Sequence, residues 1–304
     1  MNARMRNSRE AHGAALALLS AALWGVFPVM VNRGSHHIPP LLFAALSTLL
    51  AAAGSLGYAA FKGQLYELRN RESYASLFMI TLCIVIIPYT LFFIGAGKTS
   101  GMNTSLLLLS EIIFTLLFTP FIGEKTTIEK LIGAFGVFCG AALILFHGSF
   151  KLNTGDVLVI LSTASYPVGN FYAKKALTRV SPSVILLVRF FLGSLFLFLL
   201  SMFVESSSTV SAVIATNWPL LSLTGFVLLG AGKIVWYEAL NRVDISKAIS
   251  LSMTFPLFSL IILTGFYNET ISRQQAMGIA VMLVGVFFSA KRSSVDPGTT
   301  KYGQ

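Results

Sequence analysis

The amino-acid sequence predicts an all-α integral membrane protein of ten transmembrane helices, built from two five-helix copies inserted in opposite orientations. Three observations predict this fold: the composition, ten apolar runs and a repeat between the halves. The 304 residues are 55% hydrophobic and 11% charged, whereas soluble domains carry about 25% charged residues. In hydrocarbon, backbone polar groups must be paired within a helix or a closed barrel, and the apolar runs lack the alternation of barrel strands. The composition therefore predicts transmembrane helices.

The apolar runs give the predicted spans, since about 20 apolar residues cross a bilayer as a helix. The runs cover residues 13–31, 40–61, 74–96, 102–122, 128–146, 155–173, 183–204, 218–240, 246–267 and 275–290. The first run lacks a signal-peptide cleavage site, so we interpret it as a retained helix. The predicted organisation is an N-terminal tail (1–12), a first repeat (13–146), a linker (147–154), a second repeat (155–290) and a C-terminal tail (291–304).

The basic residues predict the orientation, because Lys and Arg near span ends are retained on the cytoplasmic side. In alternate segments, 16 of the 22 Lys and Arg residues fall on one side and four fall in the opposite loops. Arg189 and Lys233 lie within spans. We therefore predict a multi-pass protein of the plasma (inner) membrane with both termini cytoplasmic. This placement also explains the net charge of +10 without a nucleic-acid partner.

The two halves are related by weak internal similarity. A shift of 142 residues superposes Trp24 on Tyr166, and a shift of 145 superposes Glu124 on Glu269. Each copy has five spans, which is an odd number, so the second copy enters the membrane from the opposite face. Inverted repeats of this kind are typical of secondary transporters.

Particular motifs carry a resemblance to a known family. They are Trp24-Gly25 with Pro28, the stretch TPFIGEKTTIEKLIGAFGVFCGAALIL at 119–145, and a related stretch at 237–286. These segments resemble the drug/metabolite transporter (DMT) superfamily, and within it the ten-helix EamA-like transporters. The sequence departs from the family pattern at Glu111, where the second copy has Pro256, and at Arg189, where the region near Ser47 is uncharged.

The resemblance implies a basket of helices 1 to 4 and 6 to 9 around a central cavity, with helices 5 and 10 at the periphery. It also implies export of a small organic metabolite, such as an amino acid. Glycines recur on span five, at Gly133, Gly136 and Gly140, and on span ten, at Gly278 and Gly285. Small residues let helices approach closely. They are compatible with packing inside one protomer or with a homodimer through spans five and ten.

Beyond the first turn of each span, four Asp, Glu, Lys or Arg residues fall within the spans: Glu111, Arg189, Lys233 and Glu238. A charge at the bilayer centre costs about 2.5 to 3.5 kcal/mol on insertion scales, so such residues usually face a wet pathway or a partner. Glu111 follows Gly101 by ten residues, or about 15 Å of helix, which places it at mid-membrane. Two interpretations stay open: these residues line the pathway, or Glu111 or Glu238 forms an internal ion pair with Arg189 or Lys233.

Aromatic residues accompany these charges. Lys233 precedes Trp236 and Tyr237 at helical spacing, which predicts a cation beside aromatic walls. Trp24 and Tyr166 occupy matched positions in the two copies, and Tyr89 follows Pro88 in span three. We predict that these rings belong to a substrate-binding or coupling site, although helix packing alone also explains them.

Motifs of several enzyme classes are absent from the sequence, and their absence limits the functions that we expect. The sequence has no phosphate-binding loop, no H-E-x-x-H and no G-x-S-x-G, so we expect neither an enzyme nor a cofactor or metal. We expect a secondary transporter that binds a small-molecule solute in the lipid bilayer. Exchange of anionic phosphorylated metabolites or nucleotide sugars is the alternative within transport, and a nontransporting receptor or scaffold is the alternative from another class.

Overall fold

A computed structural model describes residues 3–122, 128–145, 153–205, 210–240, 242, 251–252 and 254–290. Within these ranges the chain forms ten main helical segments, two short 3₁₀ helices (Leu65–Arg69 and Arg71–Ser73) and no strand. The main segments are α1 (Ala3–Ser35), α2 (Pro40–Phe61), α3 (74–96), α4 (101–122), α5 (Ile128–Leu145), α6 (Thr154–Ser162 and Tyr166–Ala176), α7 (Pro182–Val204), α8 (210–240), α9 (Phe255–Tyr267) and α10 (Arg273–Ala290).

Apolar character follows the helices. Six segments are long and apolar enough to cross a membrane, and apolar stretches of α5, α9 and α10 are shorter. Large apolar side chains such as Phe203, Phe266 and Phe287 are exposed, as expected where lipid rather than water is the solvent. The predicted all-α integral membrane fold is confirmed.

Two predicted spans differ from the helices observed. The sequence predicts span eight at 218–240, but α8 begins at Val210 and contains Pro219 within its first part. A membrane helix tolerates proline where its surroundings satisfy the freed carbonyl. The sequence predicts span six as one helix at 155–173, but α6 is interrupted at 163–165. There the amides of Thr163 and Ala164 bond to carbonyls three residues earlier, just before Pro167.

The helix contacts follow the predicted inverted repeat. Helix α1 of the first copy packs against the last part of α8 of the second copy. The counterpart contact joins α6 of the second copy to the last part of α3 of the first copy. Likewise α2 packs on the middle of α8, whereas α7 packs on the middle of α3. The repeat matches α2 with α7 and α5 with α10. The helices of each of these two pairs also contact each other, so each contact is its own counterpart. These contacts are related to one another as the inverted repeat requires.

Two glycine contacts explain motifs found in the sequence. A Cβ added at Gly285 of α10 would lie 2.6 Å from Val137 N, and one at Gly140 of α5 would lie 2.7 Å from Gly278 O. The glycine ridges of α5 and α10 therefore pack against each other inside one protomer. The predicted homodimer remains a prediction, and it would use other faces of these helices. At Gly25, an added Cβ would lie 2.5 Å from Phe255 O, so this glycine allows α1 and α9 to cross closely.

The two ends of the bundle are tied by polar side chains. We call the end with the last residues of α1, α3 and α9 the outer end, following the predicted orientation, and the opposite end the inner end. At the outer end, Glu205 accepts hydrogen bonds from the first amides of α2, Leu41 N at 2.7 Å and Leu42 N at 3.0 Å. At the inner end, Glu238 pairs with Arg242 at 2.5 Å and accepts from Tyr58 at 3.2 Å. Free amides at a helix start need such acceptors.

Candidate functional site

Four helices lose regular α geometry halfway through the bundle. α3 contains a π-helical stretch at Thr81–Ile86 and α8 a second one at Leu223–Ala231. α4 tightens into a 3₁₀ turn at Leu107–Ser110, and α6 is interrupted at 163–165. Such irregular turns leave backbone groups free and often mark functional sites or hinges. All four lie beside the residues that the sequence singled out.

The charged candidates come together at this depth. Lys233 interacts electrostatically with both Arg189 and Glu111. Tyr166 interacts in the same way with Tyr89, Glu111 and Arg189. Five candidates from α3, α4, α6, α7 and α8 therefore share one location. We call these five residues, together with Trp24, the central site.

The central charges have few partners. Glu111 Oε1 accepts a hydrogen bond from Asn170 Nδ2 at 3.3 Å. Arg189 is 6% exposed and lies over the Phe190 ring, 4.7 Å from its centroid, but its Nε has no hydrogen-bond partner among the described residues. In the part of the chain that the structure describes, no salt bridge joins Glu111 to Arg189 or Lys233, and Glu238 is paired with Arg242 instead. The internal ion pair considered for these groups is therefore not formed among the described residues.

An aromatic ring does face Lys233, but it comes from another helix. Lys233 Nζ lies 3.6 Å from the ring centroid of Trp24. Trp24 in turn stacks on Phe27, with centroids 4.9 Å apart. Trp236 and Tyr237 are half-buried on α8, and the ring on which Lys233 lies is neither of them. An ammonium group over the face of an indole is attracted by the ring quadrupole, so α1 and α8 are joined here.

The repeat organises the aromatic part of the site. Trp24 and Tyr166 correspond under the 142-residue shift, and a shift of 144 superposes Tyr89 on Lys233. The Trp24 and Lys233 pair thus corresponds to Tyr166 and Tyr89, which also lie near each other. The charges break this symmetry, because the counterparts of Glu111, Arg189 and Lys233 are uncharged or only weakly acidic.

Two polar contacts were missed in the sequence. Asn170, the partner of Glu111, follows Tyr166 by one helical turn, and this spacing could have identified it. Ser110 and Thr163 are joined by a hydrogen bond of 3.0 Å between α4 and the interruption of α6. No sequence pattern indicated that contact, because it depends on the break in α6.

The central site contains more cationic side chains than carboxylates. Two cationic side chains face one carboxylate, and a buried cation without a partner is costly unless a ligand supplies the counter-charge. Tyrosine hydroxyls and the Trp24 ring add hydrogen-bonding and apolar surface. Among the described residues no group of three or more His, Cys, Asp and Glu side chains could hold a metal ion.

A helical membrane bundle built from an inverted repeat, with buried charges at its centre, is typical of polytopic transport proteins. The chain belongs to the EamA-like transporter family, whose sequence model matches residues 11–146 and 153–291. The predicted resemblance to the DMT superfamily is confirmed.

The relatives are named as transporters and efflux pumps, not as enzymes. The transporter YvbV of Bacillus subtilis is 24% identical over 286 residues, covering 93% of this chain and 92% of its own. A probable amino-acid metabolite efflux pump of Escherichia coli is 25% identical over 287 residues, covering 90% and 93%. One crystal structure aligns with a TM-score of 0.68 at 16% identity, over 92% of this chain and 96% of its own, and that likeness shows the fold alone.

Proposed function

We propose that this protein is a secondary transporter that exports a small organic metabolite bearing a carboxylate, with an amino acid as the best-fitting class, by alternating access. One observation carries the proposal: Arg189 is buried beside Lys233, and its Nε lacks an acceptor. A solute carboxylate supplies that acceptor, and charge-assisted hydrogen bonds to guanidinium are strong and directional. The amino-acid class is further supported by the relative named as a probable amino-acid metabolite efflux pump.

The central site assigns different roles to its members in this proposal. Arg189 and Lys233 bind the carboxylate, and the rings of Trp24, Tyr89 and Tyr166 contact the organic part of the solute. Glu111 is the one carboxylate of the central site and carries the coupling proton. The irregular turns of α3, α4, α6 and α8 provide positions at which these helices bend between the two access states.

Exchange of anionic phosphorylated metabolites is the second candidate, favoured by the same two cations. Glu111 opposes it, because a phosphate dianion would approach a carboxylate in the same site. A solute of one negative charge suits two cations and one carboxylate better. Counterflow with phosphorylated and carboxylic solutes separates the two candidates.

Counterflow in proteoliposomes tests the proposed function. Vesicles loaded with an unlabelled metabolite should accumulate the same labelled metabolite, and each amino acid is compared with its amide, which has lost the carboxylate charge. We expect uptake of one or more acids and little uptake of the matching amide. Arg189→Gln should abolish uptake, whereas Arg179→Gln, at an exposed inner-end arginine, should leave it unchanged. Equal uptake of acid and amide would contradict the proposal.

The proposed orientation has a separate test by cysteine labelling in a variant lacking Cys83 and Cys139. The exposed residues His36 and Lys98 lie at the outer end, and Tyr66 and Lys175 lie at the inner end. A membrane-impermeant thiol reagent added to whole cells should label cysteines at the first two positions and spare the other two. Labelling of all four from one side would exclude the proposed topology.

A further inference from the structure

A separate cavity lies at the outer end, away from the central site. Its volume is about 470 Å³, and residues at the starts of α4, α6 and α10 and just beyond the end of α9 line it. The described walls are polar except for Met102, and they include two carboxylates, Asp156 and Glu269, but no Lys or Arg. A polar cavity with this charge favours a cation over an anion or an apolar molecule.

Asp156 is a buried carboxylate without a cation beside it. It is 2% exposed, and its oxygens accept hydrogen bonds from Thr99 Oγ1, from Asn103 Nδ2 at 2.9 Å and from Asn153 N at 3.2 Å. No salt bridge to Asp156 forms among the described residues. The three donors hold the carboxylate in place, but its charge has no counter-charge there.

Asn103 provides an independent indication of a ligand. Its side chain is 9% exposed and lines the cavity. The amide nitrogen bonds to Asp156, which orients the side chain, and the amide oxygen Oδ1 is buried without a donor. A buried acceptor left unpaired reduces stability. A cation or an N–H donor in the cavity would remove that cost.

Glu269 contributes the second carboxylate. Arg33 NH2 reaches its Oε1 at 3.1 Å, and no described residue donates to Oε2. The charge of Glu269 is therefore balanced by Arg33, so among the described residues that line the cavity only the charge of Asp156 has no ionic partner. This balance matches a monovalent cation better than a divalent one.

We propose that this cavity binds a small monovalent cation, either an inorganic ion such as Na⁺ or the primary ammonium group of an organic solute. Carboxylate and amide oxygens are the ligands that hard cations prefer, and the same oxygens accept hydrogen bonds from an ammonium group. A cation bound here competes with Arg33 for Glu269, which links the ends of α1 and α9. The site needs no contribution from Arg189 or Lys233, so it goes beyond the proposed function.

Thermal unfolding of the purified full-length protein in detergent tests the site without any transport assay. The midpoint is measured against NaCl, KCl or methylammonium chloride, with choline chloride keeping the ionic strength constant, since choline has no N–H donor. A ligand that binds the folded state raises the midpoint in a saturable way. A rise with Na⁺ or K⁺ alone supports an inorganic ion, a rise with methylammonium alone supports an ammonium group, and a rise with both supports a general cation site. No saturable rise with any of them would overturn the proposal.

Matched variants locate the effect. Asp156→Asn and Glu269→Gln each remove a charge of the cavity, and the cation concentration at half-saturation should increase at least about tenfold. Asp156 also caps α6, so Asp156→Asn affects folding as well as the proposed site. Glu269→Gln is included as a second variant for this reason. Glu72→Gln, at the inner end where the partner Arg179 is exposed, is the control and should match the parent. A half-saturation unchanged in a folded Glu269→Gln variant would overturn the proposed site.

Discussion

Charged side chains have different partners at the outer end and in the central site, although some of the same helices contribute to both. At the outer end, Arg33 has Glu269 at 3.1 Å and the Tyr267 ring at 4.2 Å, so a carboxylate and a ring both face one cation. At the central site, Arg189 is more deeply buried and also lies over a ring, 4.7 Å from the Phe190 centroid, but among the described residues it has no carboxylate partner. Paired charges can hold helix ends together, whereas an unpaired buried charge reduces stability. Under the proposed function, the central cations bind the solute and contribute less to folding than the paired charges of the outer end.

The largest expected effect tests the central side of this comparison. Arg189→Met and Lys233→Met each remove a cation that the proposal assigns to the solute carboxylate. Losing one partner of a desolvated charge pair costs about 2 to 5 kcal/mol of binding, which corresponds to a loss of affinity of about thirtyfold or more. The concentration dependence of counterflow measures it. Arg179→Met serves as the control for loss of a surface arginine, and affinity within about twofold of the parent in both central variants would contradict the assignment.

The second prediction concerns the carboxylate of the central site. Glu111→Gln keeps a side chain that can bond to Asn170 but cannot carry a proton, so flux driven by a pH gradient should be lost while solute exchange and folding persist. The two fluxes are compared in the same proteoliposomes. Poor expression rescued by neutralising Lys233 would instead indicate a structural ion pair. A folded variant with parental flux and pH dependence would exclude both roles.

Much of the fold could be predicted because each span carries its own signal. Length and apolar content predicted the helices, and the glycines of α5 and α10 indicated the close packing that these helices show. The interruption of α6 and the π-helical stretches of α3 and α8 could not be predicted, since such turns depend on how neighbouring helices satisfy freed backbone groups. Glu124, which contributed to the repeat, lies outside the described residues.

The sequence indicated which residues belong to the central site, but not which contacts they make. The cost of a charge in the bilayer identified Glu111, Arg189 and Lys233 from the sequence alone. Helical spacing suggested Trp236 and Tyr237 as the rings beside Lys233, yet the ring is that of Trp24. A contact between α1 and α8 depends on tertiary packing, which spacing along one helix does not encode.

Trp24→Leu should have an effect of intermediate size on solute affinity. Removing the indole face from Lys233 should weaken solute binding by about 0.5 to 2 kcal/mol, the range of a cation–π contact, because the ammonium group loses its fixed position. Trp236→Leu is the matched control on α8 and should change affinity less. Counterflow at several solute concentrations measures both variants. A larger loss in Trp236→Leu than in Trp24→Leu would support the pairing predicted from helical spacing.

The smallest expected effect lies at the outer end. Arg33→Gln, Glu269→Gln and the double variant form a cycle whose coupling energy isolates the ion pair. The side chain of Arg33 is 38% exposed, so screening by solvent limits the coupling to at most about 1 kcal/mol. Unfolding midpoints of the four proteins in choline chloride provide the cycle. A coupling of several kcal/mol would mean that this pair carries far more of the stability than its exposure allows.

The central claim, that Arg189 serves the solute at the expense of stability, is tested most directly by thermal unfolding of the parent and Arg189→Met. The measurement is made with and without a carboxylic solute that counterflow has identified. Without solute, the variant should be as stable as the parent or more stable, because an unpaired buried charge has been removed. With solute, the midpoint of the parent should rise and that of the variant should not. A variant that is less stable without solute, or is stabilised by it as much as the parent, would contradict the account.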